Sequence, residues 1–358
     1  MEQIRILAIN PGSTSTKIAV YHNEDPVFVK NIKHSREEIE QYDNVADQLE
    51  FRKQLIIKEL NDAEVSDDHV RAVVGRGGLV KPIESGVYEV NDAMRHDLNN
   101  SPLGEHASNL GGLIAEQIAN SLPNARAFIT DPVVVDEMED LARVSGHPKF
   151  ERISIFHALN QKAVAHQHAK TTLATYEDLH LIVAHLGGGI SVGAHKRGRV
   201  IDVNQALDGE GPFSPERSGH LPMGDVVKLC FSGEYSLKEV KKMITGQGGL
   251  VAYLGTNDAY EVEQRMRAGD EKAELIYSAM AYQVSKEIGA MAAVLEGDVD
   301  GILLTGGIAH DRWFISEIVK RVERFGAVHV YPGEDEMKAL ATNALRVLRG
   351  EMELKIYK

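Results

Sequence analysis

Apolar positions in the opening of the chain fall into two strand-length runs, over residues 4–9 and 17–21. They are separated by Asn10-Pro11-Gly12-Ser13-Thr14-Ser15-Thr16. Two such runs around a Gly/Ser/Thr stretch predict a β-hairpin. The pattern returns downstream: residues 181–186 are apolar, Gly187-Gly188-Gly189 interrupts them, residues 190–195 alternate, and residues 199–203 read as a third strand. A strand, glycine loop and strand met twice predicts an internal duplication. Amphipathic segments over 37–60, 105–120, 160–170, 271–295, 317–324 and 337–349 predict helices interleaved with strands, hence the α/β class. A third glycine turn, Thr305-Gly306-Gly307-Ile308, follows the apolar run 301–304 and precedes a helix beginning near Asp311. Open α/β sheets bind ligands at such carboxyl ends of strands. Two further runs, 127–130 and 153–156, are read as strands ending at Asp131 and His157.

A length of 358 residues exceeds one compact core and predicts two domains. Hydrophobic residues at 43% and charged residues at 26%, with no biased tract, describe a chain that folds. The formal charge of -14 argues against nucleic acid and anionic membranes as partners, so any bound phosphate has to be held locally. A single cysteine, Cys230, excludes an intrachain disulfide and a multi-cysteine metal site, and is read as a buried, inert thiol of a reducing compartment. The opening runs into a strand without a charged-then-apolar leader, and no window of about 18 residues lacks charge. The cytoplasm is the expected location.

The first loop offers backbone N–H groups, the hydroxyls of Ser13 and Ser15, and the ammonium of Lys17, which together suit an anion. It is not the G-x-x-x-x-G-K-[ST] loop, since it leads into a strand. Taken alone it is an ordinary hairpin turn; two glycine-rich turns at matching places in two halves could hold one polyphosphate. Arg76, flanked by Gly75, Gly77 and Gly78, and Arg217, in Ser214-Pro215-Glu216-Arg217-Ser218-Gly219, are forked cations suited to carboxylate or phosphoryl groups. From the residues alone a solvated charge in a turn is the commoner reading for Arg76, and an ion pair with Glu216 or another carboxylate reads equally well for Arg217. His157 also reads as a helix-start residue satisfied by backbone, His185 as a core histidine, and Asp131 as the cap of an Asp-Pro turn. His166 and His168, two apart on a helix, point away from each other and read as surface residues.

The duplicated hairpins and the late glycine turn resemble the superfamily of acetate and sugar kinases, actin and heat-shock ATPases. Within it the chain resembles the acetokinase family, through Asn10-Pro11-Gly12-Ser13-Thr14-Ser15-Thr16-Lys17, through His185-Leu186-Gly187-Gly188-Gly189, and through Ile201-Asp202 followed by Glu216-Arg217-Ser218-Gly219. The likeness is closer still to the butyrate-using branch, in Gly75-Arg76-Gly77-Gly78, Asp131-Pro132-Val133-Val134-Val135-Asp136-Glu137 and Gly211-Pro212-Phe213-Ser214-Pro215.

The resemblance implies two duplicated ribonuclease H-like domains with mixed sheets flanked by helices and a nucleotide cleft between them. The expected domains are 1–155, joined by the C-terminal helix over 338–358, and 156–337, carrying the nucleotide site. It implies transfer of phosphate from ATP to the carboxylate of a short-chain fatty acid, with butyrate the best single substrate and ADP and an acyl phosphate as products. Arg76, Asp131, His157 and Arg217 would be catalytic, with His157 donating a hydrogen bond to the phosphoryl group. Ser13, Ser15, Lys17, His185, Gly187, Gly189 and Asp202 would hold nucleotide phosphates, and Gly306 and Gly307 the adenosine. Magnesium would meet Asn10 and Glu336, with Glu334 and Asp335 as other registers for the acidic ligand. The acyl tail would meet Phe156 and the surroundings of Arg76, where Gly77 and Gly78 would enlarge the pocket. A homodimer or larger homo-oligomer is implied as well. Propionate, acetate or branched-chain acids are alternative substrates, and a non-transferring ATP-dependent switch or a phosphohydrolase are alternatives of other classes.

Overall fold

The computed structural model describes residues 4–65, 69–100 and 104–358. The opening tripeptide that entered the reading of the N-terminus lies outside them. The chain divides into two compact units, Met1–Val135 with Asp335–Lys358, and Asp136–Glu334.

The first unit begins with β1 (Arg5–Pro11), β2 (Ser15–His22) and β3 (Asp25–Lys33). The β1–β2 register runs from Arg5 opposite His22 to Pro11 opposite Thr16, and Gly12 N–H donates to the Ser15 carbonyl at 2.7 Å. The glycine loop is therefore a tight turn. The helix predicted over 37–60 is two helices, α1 (Arg36–Glu40) and α2 (Leu49–Asp62). Ser35 and Glu38 form a capping box on α1, and Asn44 donates to Asp47 through its backbone and its carboxamide, a local bonding mode that competes with continuous helix. Then come β4 (Val70–Arg76), β5 (Val87–Glu89), α3 (Asp92–Asn100), α4 (Asn109–Asn120) and β6 (Arg126–Thr130). α4 starts four residues later than predicted because the Asn109 side chain bonds outward, accepting from Leu79 N–H at 2.8 Å and donating to the Gly104 carbonyl. On one face of the sheet Leu7, Ile9, Val73 and Ile129 pack with Leu110 and Ile114 of α4.

The second unit opens with α5 (Asp140–Arg143) and α6 (Ala158–Thr171), followed by β7 (His180–Leu186), β8 (Ile190–Lys196) and β9 (Arg199–Val203). Helices α7 (Met223–Cys230), α8 (Leu237–Ile244), α9 (Gly249–Leu254), α10 (Ala259–Arg267) and α11 (Glu271–Val294) precede β10 (Gly301–Gly306), α12 (Arg312–Val322) and β11 (Val328–Pro332). Central strand β7 is apolar on both faces: Ile182, Ala184 and Leu186 join the core under α11 and α12, while Leu181 and Val183 pack with Val164 and Ala165 of α6. The chain then returns to the first unit with α13 (Glu336–Leu348), capped by Asp335, and β12 (Leu354–Lys355).

The strand orders are β12-β5-β6-β4-β1-β2-β3 and β11-β10-β7-β8-β9. In each, an antiparallel triple continues into two parallel strands, β1–β4–β6 and β7–β10–β11, so the duplication read from the hairpins holds for the whole sheet topology.

Several local expectations change. Residues 136–155 cluster with the second unit, where Glu139 N–H donates to Ile201 and Arg152 donates to Asp202 and to the Val203 carbonyl. Residues 335–337 cluster with the first. Residues 153–156 are no strand; they attach to the end of β9 through the Arg152 side chain and one backbone bond, Ala206 N–H to the Ile155 carbonyl. Cys230 is exposed, because α7 buries none of its residues. His168 is buried and bonds the Tyr331 hydroxyl at 2.8 Å through Nδ1. No helix among the described residues is long and apolar enough to cross a membrane.

Candidate active site

In the first unit β1, β4 and β6 are parallel, so their carboxyl ends share one sheet edge, and that edge carries Asn10, Arg76 and Asp131. Arg76 ends a strand and is not a residue of a solvated turn. Its Nη1 and Nη2 each lie 3.1 Å from a Glu336 carboxylate oxygen, and Asn10 Nδ2 donates to Glu336 Oε2 at 2.5 Å. Of the three acidic residues at the start of α13, Asp335 caps the helix by accepting from Lys338 N–H, and Glu336 is the one set against Asn10 and Arg76. Asp131 adopts φ +39°, a conformation that costs a non-glycine residue energy. Its Oδ1 accepts from Ser85 Oγ at 2.7 Å and Gly86 N–H at 2.8 Å, and Asn343 donates to Oδ2 at 3.3 Å. These bonds occupy the carboxylate in fastening the segment before β5 to the end of β6.

At the first turn Ser13 and Lys17 are exposed and Ser15 is half-buried. Beneath it lies a residue the sequence reading passed over. Arg52 of α2 is 1% exposed and donates to the carbonyls of Gly12 at 2.8 Å and Ser15 at 3.2 Å, to Thr16 Oγ1 at 3.0 Å and to the Gln48 carboxamide. Burial lowers its pKa to about 10, which leaves a cation under the turn at neutral pH. Thr16 Oγ1 also bonds His34 Nε2 at 2.8 Å, and burial, with Arg52 adding, lowers the His34 pKa to about 4.

In the second unit the carboxyl ends of β7, β10 and β11 carry the turns at Gly187–Gly189, Gly306–Gly307 and Gly333. Gly306, at φ +92°, abuts the Leu186 backbone: a Cβ there would stand 2.7 Å from the Leu186 nitrogen, and Gly306 and Gly333 exchange backbone bonds of 3.1 and 2.9 Å. Gly307 is exposed, with nothing within 4 Å of where a Cβ would sit. Arg217 reaches the second turn. A Cβ on Gly189 would stand 2.5 Å from the centre of its guanidinium, and the Arg217 loop is pinned there by Ser214 Oγ donating to the Gly188 carbonyl at 2.7 Å. Arg217 donates to the Ala206 carbonyl and has no carboxylate within ion-pair distance among the described residues; burial pulls its pKa below the usual range, with Glu216 opposing.

His157 caps α6 and stacks on His185, ring centroids 3.8 Å apart and 15° from parallel. Its Nδ1 bonds Ser191 Oγ at 2.8 Å, so a side chain and not only backbone engages it. His185 is 2% exposed, bonds Asn160 Oδ1 at 2.8 Å, and has Glu334 Oε2 3.6 Å from Nε2. Asp202 faces Arg152 at 2.9 Å, which also holds Glu210. Phe156 is buried.

The pocket argument from Gly77 and Gly78 fails on packing. A Cβ on Gly78 would stand 2.5 Å from the Asn109 Cα, and one on Gly77 2.6 Å from the Pro132 Cβ. Protein already fills the space beside these glycines.

The profile of the acetokinase family matches residues 152–342. Over 356 residues, 99% of this chain and 100% of the relative, the chain is 57% identical to a protein of Clostridium acetobutylicum named butyrate kinase 2. The chain belongs to the acetokinase family. The fold is that of acetokinases of known structure. Acetate kinase of Porphyromonas gingivalis superposes with TM-score 0.77 at 20% identity, covering 96% of this chain and 100% of its own. A propionate kinase of Francisella tularensis gives TM-score 0.72 at 20% identity, covering 95% and 98%. In this member of the acetokinase family the residues read from sequence thus form separate sets: Asn10, Arg76 and Glu336 with one another, Asp131 with its loop, His157 with His185, and Arg217 with Gly189. Asp202 stands with Arg152 instead. The sequence reading passed over Arg52, Ser191, which bonds His157, and Gln161, which donates to Ser191 Oγ at 2.9 Å.

Proposed function

We propose that this chain transfers the γ-phosphoryl group of ATP directly to the carboxylate of butyrate, reversibly. The observation that carries the reading is the Arg217 guanidinium, held against the second glycine turn with no carboxylate paired to it among the described residues. The full-length likeness to a relative named butyrate kinase 2 supports the choice of acid.

The acid is already ionised at neutral pH, so no general base is needed. A carboxylate oxygen attacks the γ-phosphorus, the bond from that phosphorus to the β,γ-bridging oxygen breaks, and ADP leaves with its electron pair. The protein's work is alignment and charge compensation. Arg217 offsets charge on the phosphoryl oxygens, His157 donates a hydrogen bond to them, and Arg76 orients the acid. Ser13, Ser15, Lys17, His185, Gly187 and Gly189 receive nucleotide phosphates. Gly306 and Gly307 receive the adenosine, which the open space at Gly307 supports.

Glu336 offers a carboxylate and Asn10 a carboxamide whose NH₂ meets that carboxylate and whose Oδ1 faces Arg76 Nη1 at 3.5 Å; turned toward an ion, their oxygens are a donor set that fits magnesium, which keeps several waters and uses few protein oxygens. When bound, the ion would neutralise phosphate charge. Glu336 would then be shared with or released by Arg76.

A cytoplasmic setting is supported by the single cysteine, left exposed. A homo-oligomer is supported by α7, which buries nothing although Met223 is 70% and Val227 48% exposed. The test is ADP release from magnesium ATP: release that requires butyrate supports the transfer, while release without any acid favours a hydrolase.

A further inference from the structure

A chain of hydrogen bonds leads inward from half-buried His157 through buried side chains of the second unit. His157 Nδ1 meets Ser191 Oγ at 2.8 Å, Gln161 Nε2 meets Ser191 Oγ at 2.9 Å and the Ser191 carbonyl at 3.1 Å, Gln161 Oε1 meets His195 Nε2 at 2.9 Å, and His195 Nδ1 meets the Tyr176 hydroxyl at 2.7 Å. Gln161, Ser191 and His195 are 0% exposed. Gly193 makes room for the chain, since a Cβ there would stand 2.7 Å from Gln161 Oε1.

One fixed point sets the direction at Gln161. A backbone carbonyl only accepts, so the Gln161 group facing Ser191 O is the NH₂, and Oε1 faces His195. His195 Nε2 therefore carries a proton; burial disfavours the charged ring, so Nδ1 accepts from the Tyr176 hydroxyl. Toward the other end, Ser191 Oγ receives one Gln161 N–H and faces the His157 backbone N–H at 3.4 Å. With its lone pairs so used, the hydroxyl proton of Ser191 is left for His157 Nδ1.

We propose that Ser191 and Gln161 are positioning residues that hold His157 as the neutral tautomer protonated on Nε2, so that this ring enters phosphoryl transfer as a hydrogen-bond donor with its proton already in place. The inference rests on the reading of His157 as the phosphoryl donor. It adds how its tautomer is set: the alternative tautomer would put two N–H or O–H groups head to head at Ser191, or strip the buried hydroxyl of a bond.

Nitrogen-15 spectra of histidine-labelled full-length protein test this without reference to activity. Wild-type His157, assigned by its absence from His157→Gln, is expected to show a neutral ring protonated on Nε2 at pH 7.5; an Nδ1-protonated ring or an imidazolium would overturn the proposal. Ser191→Ala is expected to lose that pattern and to lower kcat by about 10- to 100-fold, within the range of a positioned proton donor, with KM for ATP and acid changed less than about twofold. Ser191→Thr, which keeps the hydroxyl, should restore both. An unchanged His157 spectrum in Ser191→Ala would refute the relay. Full acyl phosphate formation by His157→Ala, which has no donor there, would refute the donor role itself, whatever the spectra show.

Discussion

Arg217 and Gly189 are in such close contact that a side chain at 189 would have to displace the guanidinium, which occupies that space. The second glycine turn is thereby coupled to the arginine proposed to meet the phosphoryl group. Gly189→Ala should displace Arg217 and act like Arg217→Ala, each lowering kcat at least about 100-fold, as loss of one transition-state charge contact does elsewhere. Steady-state kinetics on both variants, with circular dichroism to confirm the fold, check this. A near-normal Gly189→Ala enzyme would show that the contact is incidental.

Arg76 and Glu336 hold each other through two contacts of 3.1 Å, with Asn10 on the same carboxylate. Glu336→Gln removes the anionic oxygen proposed for the metal while keeping the shape. The magnesium concentration for half-maximal rate should rise about 10-fold or more, read from magnesium titrations at fixed ATP. An unshifted titration would assign Glu336 only to fastening Arg76.

Arg52→Met keeps much of the buried volume but strands the Gly12 carbonyl and the buried Gln48 carboxamide oxygen, each worth about 1–3 kcal/mol when left unsatisfied, while the Ser15 carbonyl keeps its bond from Gly12 N–H. Denaturant unfolding should show a loss of about 2–4 kcal/mol, and KM for ATP should rise more than KM for butyrate.

Gly78→Ala introduces a methyl group into the Asn109 backbone. Overpacking of this kind costs about 1–3 kcal/mol, and its effect on turnover should be similar for acetate and butyrate. A selective loss with butyrate would restore the view that Gly78 shapes the acyl pocket.

His34 has a folded pKa of about 4 against an ordinary 6.5. Between these values the unfolded chain binds a proton that the folded chain refuses, so the stabilisation is complete above pH 6.5 and is lost as pH falls toward 4. His34→Gln, which keeps a partner for Thr16, should flatten the fall of unfolding free energy over that window by up to about one proton's worth, 1.4 kcal/mol per pH unit.

The strands flanking the three glycine turns, and the duplication, were legible because apolar runs and glycine punctuation are local signals, whereas the run 153–156, apolar like them, is no strand and β3–β5 were not read. The ends of helices were less so: nothing in the apolar pattern over 37–60 shows that Asn44 and Asp47 bond each other and break it. Asn10, Arg76 and Glu336 could be named individually, but their meeting depends on α13 returning to the sheet edge from the far end of the sequence. Arg52 escaped because Arg-Lys at 52–53 looks like solvated charge on an amphipathic helix, whereas its guanidinium is enclosed by carbonyls contributed by the turn. Ser191 left a faint trace, a hydroxyl inside an apolar strand, but its meaning needs Gln161 in three dimensions.

The most direct test of the central claim is to trap acyl phosphate as hydroxamate from magnesium ATP with acetate, propionate, butyrate, isobutyrate and valerate in turn. The account predicts product with short acids, greatest with butyrate and abolished in Arg217→Ala. No acyl phosphate with any of these acids would contradict it.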